Sequence, residues 1–125
     1  MGFVQNLFPQ RYTDALCMIA GHKSLDELEN FFDDDMDIDN HHSEIDCSAL
    51  VFASLEGKIE NVNFLLSKGA MEVQPAILMA TKTRDDYSSG KLSSSSISSE
   101  QKIKELNDVI FVLGNFQHRS FGNLH

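Results

Sequence analysis

Four aspartates offer the most specific chemistry in the chain. Asp35, Asp37, Asp39 and Asp46 fall at positions 1, 3, 5 and 12 of a twelve-residue calcium-loop register, in which carboxylate oxygens wrap one hard cation. Three residues depart from that register. Asn40 stands where the sharp turn wants glycine, His42 where an apolar residue belongs, and Asp46 is shorter than the bidentate glutamate. His41 and His42 share the loop, yet neighbours in an extended segment point apart, so a common metal would need ligands from elsewhere. The reading is of no resident metal and no cofactor, with a calcium- or metal-responsive switch on the 35–46 loop as the alternative.

Catalytic patterns are absent from the sequence. His22, His41, His42, His118 and His125 stand in no nucleophile elbow, zinc spacing or phosphate loop. Paired carboxylates can serve as general acid and base, but these fall on expected turns and outer helix faces, where charges are usually solvated. The chain is therefore expected not to be an enzyme. Cys17 and Cys47 make neither a disulfide framework nor a CxxC pair, and both sit among apolar residues. They are expected to be buried free thiols of a reducing, cytoplasmic setting.

The elements that position these residues must come from one domain, because 125 residues leave little room for two. Residues 1–46 carry eleven carboxylates against Arg11 and Lys23, which is the whole net charge of −9; residues 47–125 balance at eight and eight. An acidic half argues against nucleic acid and anionic membranes, since phosphate binding needs a basic surface. The longest apolar run, Val109-Ile110-Phe111-Val112-Leu113, is far below the ~20 residues of a membrane span. Met1 to Arg11 lacks the basic start and long apolar stretch of a secretory signal.

The sequence aligns with itself at an offset of 34 residues. Residues 14–20 lie over 48–54, and Leu25, Leu28, Phe31 and Phe32 lie over Ile59, Val62, Leu65 and Leu66. Each unit reads as a short apolar helix, a turn and a longer helix with one buried stripe. Ser24 with Glu27, and Ser98 with Gln101, have capping-box spacing, and Gly69 is placed to end a helix. A third copy begins at Pro75-Ala76-Ile77-Leu78-Met79-Ala80, then meets a Ser-rich stretch with eight serines in residues 88–99. The expectation is an all-α domain of approximate units 13–46, 47–74 and 75–116, the third interrupted by a flexible insertion at 85–99.

Residues 48–70, Ser-Ala-Leu-Val-Phe-Ala-Ser-Leu-Glu-Gly-Lys-Ile-Glu-Asn-Val-Asn-Phe-Leu-Leu-Ser-Lys-Gly-Ala, resemble an ankyrin repeat. Leu50, Ala53, Gly57, Glu60, Val62, Leu65, Leu66, Gly69 and Ala70 fall on signature positions, while Ser48, Ala49, Val51 and Lys58 depart from them. Unit one has Lys23 and Asp35 at the two glycine positions. The resemblance implies a short ankyrin-like stack that binds a protein partner through its repeat tips and inner helices. A chain this short resembles the small stand-alone ankyrin-type effectors and effector regulators of intracellular bacteria, for which delivery into a host cell would follow.

The expected contact surface is the acidic tip: Asp33, Asp34, Asp35, Asp37, Asp39, Glu44 and Asp46. It would suit a partner that is basic where it docks, regulated or inhibited by having its surface occluded. A solvated loop of no special function accounts for the same charges. The last helix reads as apolar on two sides, with Ile103, Leu106, Ile110 and Leu113 on one and Val109, Phe111, Val112 and Phe116 on the other. The second side predicts a homodimer, the commonest symmetric assembly, or a subunit of a larger assembly. The N-terminal Phe3, Val4, Leu7 and Phe8 offer another cover.

Overall fold

A computed structural model of the chain describes residues 9–93 and 98–122, with side chains as far as 117. Phe3, Val4, Leu7 and Phe8 lie outside that range. The described residues form six helices and no strand: α1 (Pro9–His22), α2 (Leu25–Phe31), α3 (Ala49–Leu55), α4 (Ile59–Ser67), α5 (Val73–Ser88) and α6 (Ser99–Gly122). The helices pack in pairs, α1 with α2, α3 with α4 and α5 with α6. First helices also pack in a row, α1 on α3 on α5, and second helices in a parallel row, α2 on α4 on α6. The fold is all-α and two layers deep.

The helix ends follow local chemistry. Ser24 caps α2 by accepting from the Glu27 amide at 3.3 Å, and Ser98 accepts from the Gln101 amide at 3.1 Å at the start of α6. Gly57 (φ +73°) makes the turn between α3 and α4, and Gly69 (φ +95°) ends α4, conformations that a Cβ disfavours. Pro75 lies in the first turn of α5, where its missing N–H is harmless. The end of α1 is different, because Lys23 has no positive φ. There the buried Asn61 of α4 donates to the carbonyls of Ala20 and Lys23 at 2.9 and 3.0 Å, pairing acceptors that α1 leaves open.

The core runs through both rows. Leu16, Cys17 and Ala20 of α1, Leu28 of α2, Val62 and Leu65 of α4, Ala76 and Ala80 of α5, and Leu106, Val109 and Leu113 of α6 are at most 2% exposed. Every residue from Ala49 to Ser54 is buried, so α3 lacks a solvent face over those positions.

Two expectations need correction. The insertion is shorter than 85–99, because α5 continues as helix through Ser88. The serines mislead there: Ile77, Met79 and Tyr87 still pack on the core, and Lys82 and Asp86 form an i,i+4 ion pair at 2.9 Å. Val109 does not belong to an outer face of α6. It lies three residues after Leu106 and four before Leu113, hence on their stripe, and it is wholly buried. Ile110, Val112 and Phe116 are partly buried against the core, which leaves Phe111, 70% exposed, as the large apolar side chain pointing out among the described side chains of α6. No described helix is long and apolar enough to cross a membrane.

Candidate functional site

The segment between α2 and α3 carries the acidic run and is folded by it. Asp33 Oδ1 accepts from the Asp35 amide and Asp37 Oδ1 from the Asp39 amide, both at 2.9 Å, giving two consecutive aspartate turns. The Asp33 amide donates to the Tyr12 hydroxyl at 2.8 Å, and Tyr12 stacks on Phe31 with ring centroids 5.0 Å apart. Burial, the largest cause, pushes the Tyr12 phenol above its ordinary value. Asp39 Oδ1 accepts from the Met71 amide at 2.9 Å, which joins this tip to the next.

The second half of the segment is a narrow hairpin. His41 and Ser48 form an isolated antiparallel bridge, and the His42 amide donates to the Cys47 carbonyl at 3.0 Å. On one side, Asp14 of α1 accepts from the amide and the hydroxyl of Ser43, and these two bonds are the main reason its carboxyl sits below the usual range. Gln10, a turn earlier, donates to Asp14 at 2.8 Å and to the His41 carbonyl at 3.0 Å. On the other side the His41 ring lies between two carboxylates, with Nδ1 2.6 Å from Asp46 and Nε2 2.8 Å from Glu72, the residue that precedes α5. The Asp46 bond, then the Glu72 bond, hold the His41 pKa above its ordinary value. His42 faces inward, its ring centroid 5.8 Å from that of Phe52, and its Nδ1 accepts from the amides of Glu44 and Ile45.

Of the seven predicted contact residues, five are therefore engaged within the chain: Asp33 and Asp37 in turns, Asp39 with Met71, Asp46 with His41, and Asp34 with Lys68. Asp34 reaches Lys68 at 3.8 Å, and Lys68 lies 5.8 and 5.6 Å from the ring centroids of Phe32 and Phe64. Asp34, Asp35, Asp37, Glu44 and Asp46 are all exposed, Asp46 over 95% of its side chain. Beside them stand Ile45, 50% exposed, and Met71, 80% exposed. Asp35, Asp37, Asp39 and Asp46 do not converge on a cation position: no group of three or more His, Cys, Asp and Glu among the described residues has metal-binding geometry.

Gln10, Asp14, His41, Ile45, Met71 and Glu72 complete this edge; the sequence singles out none of them as a contact residue and weighs His41 only as a metal ligand or catalytic group. The repeat held a usable signal. Tips one period apart are neighbours in a stack, and the cross-links join residues 29 to 32 positions apart: Asp14 with Ser43, His41 with Glu72, and Asp39 with Met71. Elsewhere, a shallow open cleft of about 370 Å³ lies between α2 and α4, lined by Leu25, Glu29, Glu60, Asn63 and Phe64. Cys17, wholly buried, has its thiol pushed up to about 12, chiefly by burial, so it carries almost no thiolate at neutral pH.

Comparison of the chain with protein-family models, with curated proteins and with solved structures finds no match.

Proposed function

We propose that the chain is a short ankyrin-like stack acting as a non-catalytic protein-binding module, which regulates or inhibits a partner by covering its surface. The two rows of paired helices and the positive-φ glycines at 57 and 69 support the repeat assignment. The observation that carries the binding reading is the mixed surface on the tips. Asp34, Asp35 and Glu44 are exposed around Ile45 and Met71, so carboxylates flank apolar side chains on a cross-linked edge. Such an edge suits a partner that is basic and partly apolar where it docks. Asp33 and Asp39 build the edge, Asp37 and Asp46 build it while staying exposed, and Asp34, Asp35 and Glu44 are offered outward.

The test is affinity capture followed by mass spectrometry, with wild-type chain and a triple variant, Asp35→Asn, Glu44→Gln and Met71→Ser, as baits. These positions are exposed, and the variant is expected to keep its helical circular dichroism while losing the captured partner. A partner retained equally by the folded variant would remove the tip edge as the contact surface.

A further inference from the structure

His41 engages two carboxylates at once: its Nε2 joins the hairpin to Glu72 of the third helical pair, and its Nδ1 meets Asp46 within the hairpin. Ionised Asp46 and Glu72 are acceptors only, so this geometry requires a hydrogen on Nδ1 and on Nε2 at once. A neutral ring carries one hydrogen and satisfies one carboxylate. The other would then face a ring lone pair, with a second acid nearby and no proton between them. Four carboxylates engage this segment. Asp46 is on the hairpin, Glu72 precedes α5, Asp39 holds the Met71 amide, and Asp14 of α1 holds Ser43. Among the titratable neighbours, His42 turns its Nδ1 toward its own loop amides and lies 4.0 Å from Asp14, and the partly buried Cys47 closes the hairpin.

We propose that His41 is a proton-operated clasp: doubly protonated, it bonds Asp46 within the 41–48 hairpin and Glu72 at the start of α5 at once, and release of one proton to solvent removes the ring's positive charge and one of those two bonds, which loosens that side of the binding edge. The regulatory part rests on the reading of the tips as the contact surface. Exposed Ile45 and Met71 are each next in sequence to one of the two clasped carboxylates, Asp46 and Glu72. Opening the clasp therefore changes their spacing, and a rigid partner would sense the difference.

The direction with pH follows from linkage. The folded-state value of His41 is raised above that of the unfolded chain, so the clasp contributes fully below the unfolded value of about 6.5 and is lost as pH rises through the folded value. The experiment is NMR on the full chain without any partner, following the His41 ring and the amide exchange of His42 and Met71 from about pH 5 to about pH 9. Exchange is corrected for the intrinsic rate. His41 is expected to titrate above about 6.5, with protection of both amides falling severalfold over the same range. Glu72→Gln is expected to lower the His41 midpoint and shift the loss of protection with it; His41→Gln is expected to flatten the response. A wild-type midpoint at or below about 6.5 overturns the clasp. So does amide protection that ignores the His41 titration. If the clasp titrates as stated while the tip variant still captures its partner, the contact surface is elsewhere and the clasp stands.

Discussion

Asn61 and Ala20 are joined across 41 positions by a buried hydrogen bond, the Asn61 side-chain amide donating to the Ala20 carbonyl at 2.9 Å. The same amide serves the Lys23 carbonyl at 3.0 Å. The end of α1, which lacks a glycine turn, is thus closed by the neighbouring helical pair. Asn61→Leu leaves both carbonyls without this donor, and a loss of about 1–3 kcal/mol is expected in urea unfolding. A change within about 0.5 kcal/mol would mean that the two acceptors find other donors.

The two positive-φ glycines of the second pair make a graded comparison. A Cβ at Gly57 would lie 3.1 Å from Glu105 Cβ, whereas one at Gly69 meets nothing within 4 Å. Gly69→Ala carries only the backbone cost of about 1–2 kcal/mol; Gly57→Ala adds a tight contact that the Glu105 side chain of α6 must relieve by a small shift, and is expected to cost more. Equal midpoint shifts in thermal melts would contradict the close approach of α6 to this turn.

Ser54 points the opposite way. Its hydroxyl is buried without a hydrogen-bond partner, so Ser54→Ala removes an unmet polar group without opening a large space. The variant is expected to be more stable by about 1 kcal/mol, read as a higher urea midpoint at unchanged slope.

The cysteines should react in order. Cys17 is wholly buried with its thiol pushed up to about 12, and Cys47, though raised by burial as well, is partly exposed. Iodoacetamide at mildly alkaline pH is expected to label Cys47 first and Cys17 only on unfolding. Peptide mapping checks the order.

Helix α6 separates packing from surface. Leu106→Ala removes a wholly buried side chain and is expected to cost about 2–5 kcal/mol. Phe111→Ser, at a 70% exposed position, is expected to change stability by less than about 0.5 kcal/mol. If Phe111 mediates self-association, sedimentation of wild-type chain will show a species of twice 14.0 kDa that the Phe111→Ser variant lacks.

What the sequence made legible is what local chemistry decides. Ser24, Ser98 and Gly69 announce helix ends by type and spacing, and the offset of 34 marks the paired helices between them. The Ser-rich stretch was read too broadly because composition speaks for the loop and not for the last turn of α5, which packing retains. Val109 was misplaced because α6 is apolar at successive positions, so periodicity alone does not divide its faces. The site was less legible for a different reason. A run of carboxylates suggests a shared surface, but Asp39 turns to the Met71 amide and Asp14 of α1 to Ser43, partners 32 and 29 positions away that only the packing of the helical pairs brings near.

The central helix has a consequence for dynamics. From Ala49 to Ser54 no residue of α3 reaches solvent, and its neighbours α1 and α5 cover it from both sides. No local fraying exposes those residues without first detaching a flanking helical pair. The amides of Phe52, Ala53 and Ser54, which lie past the first turn and have acceptors in the helix, should therefore be the slowest among the described residues to take up deuterium, at a rate set by global opening. In that sense the least accessible helix is the gauge by which the cohesion of the whole stack can be read.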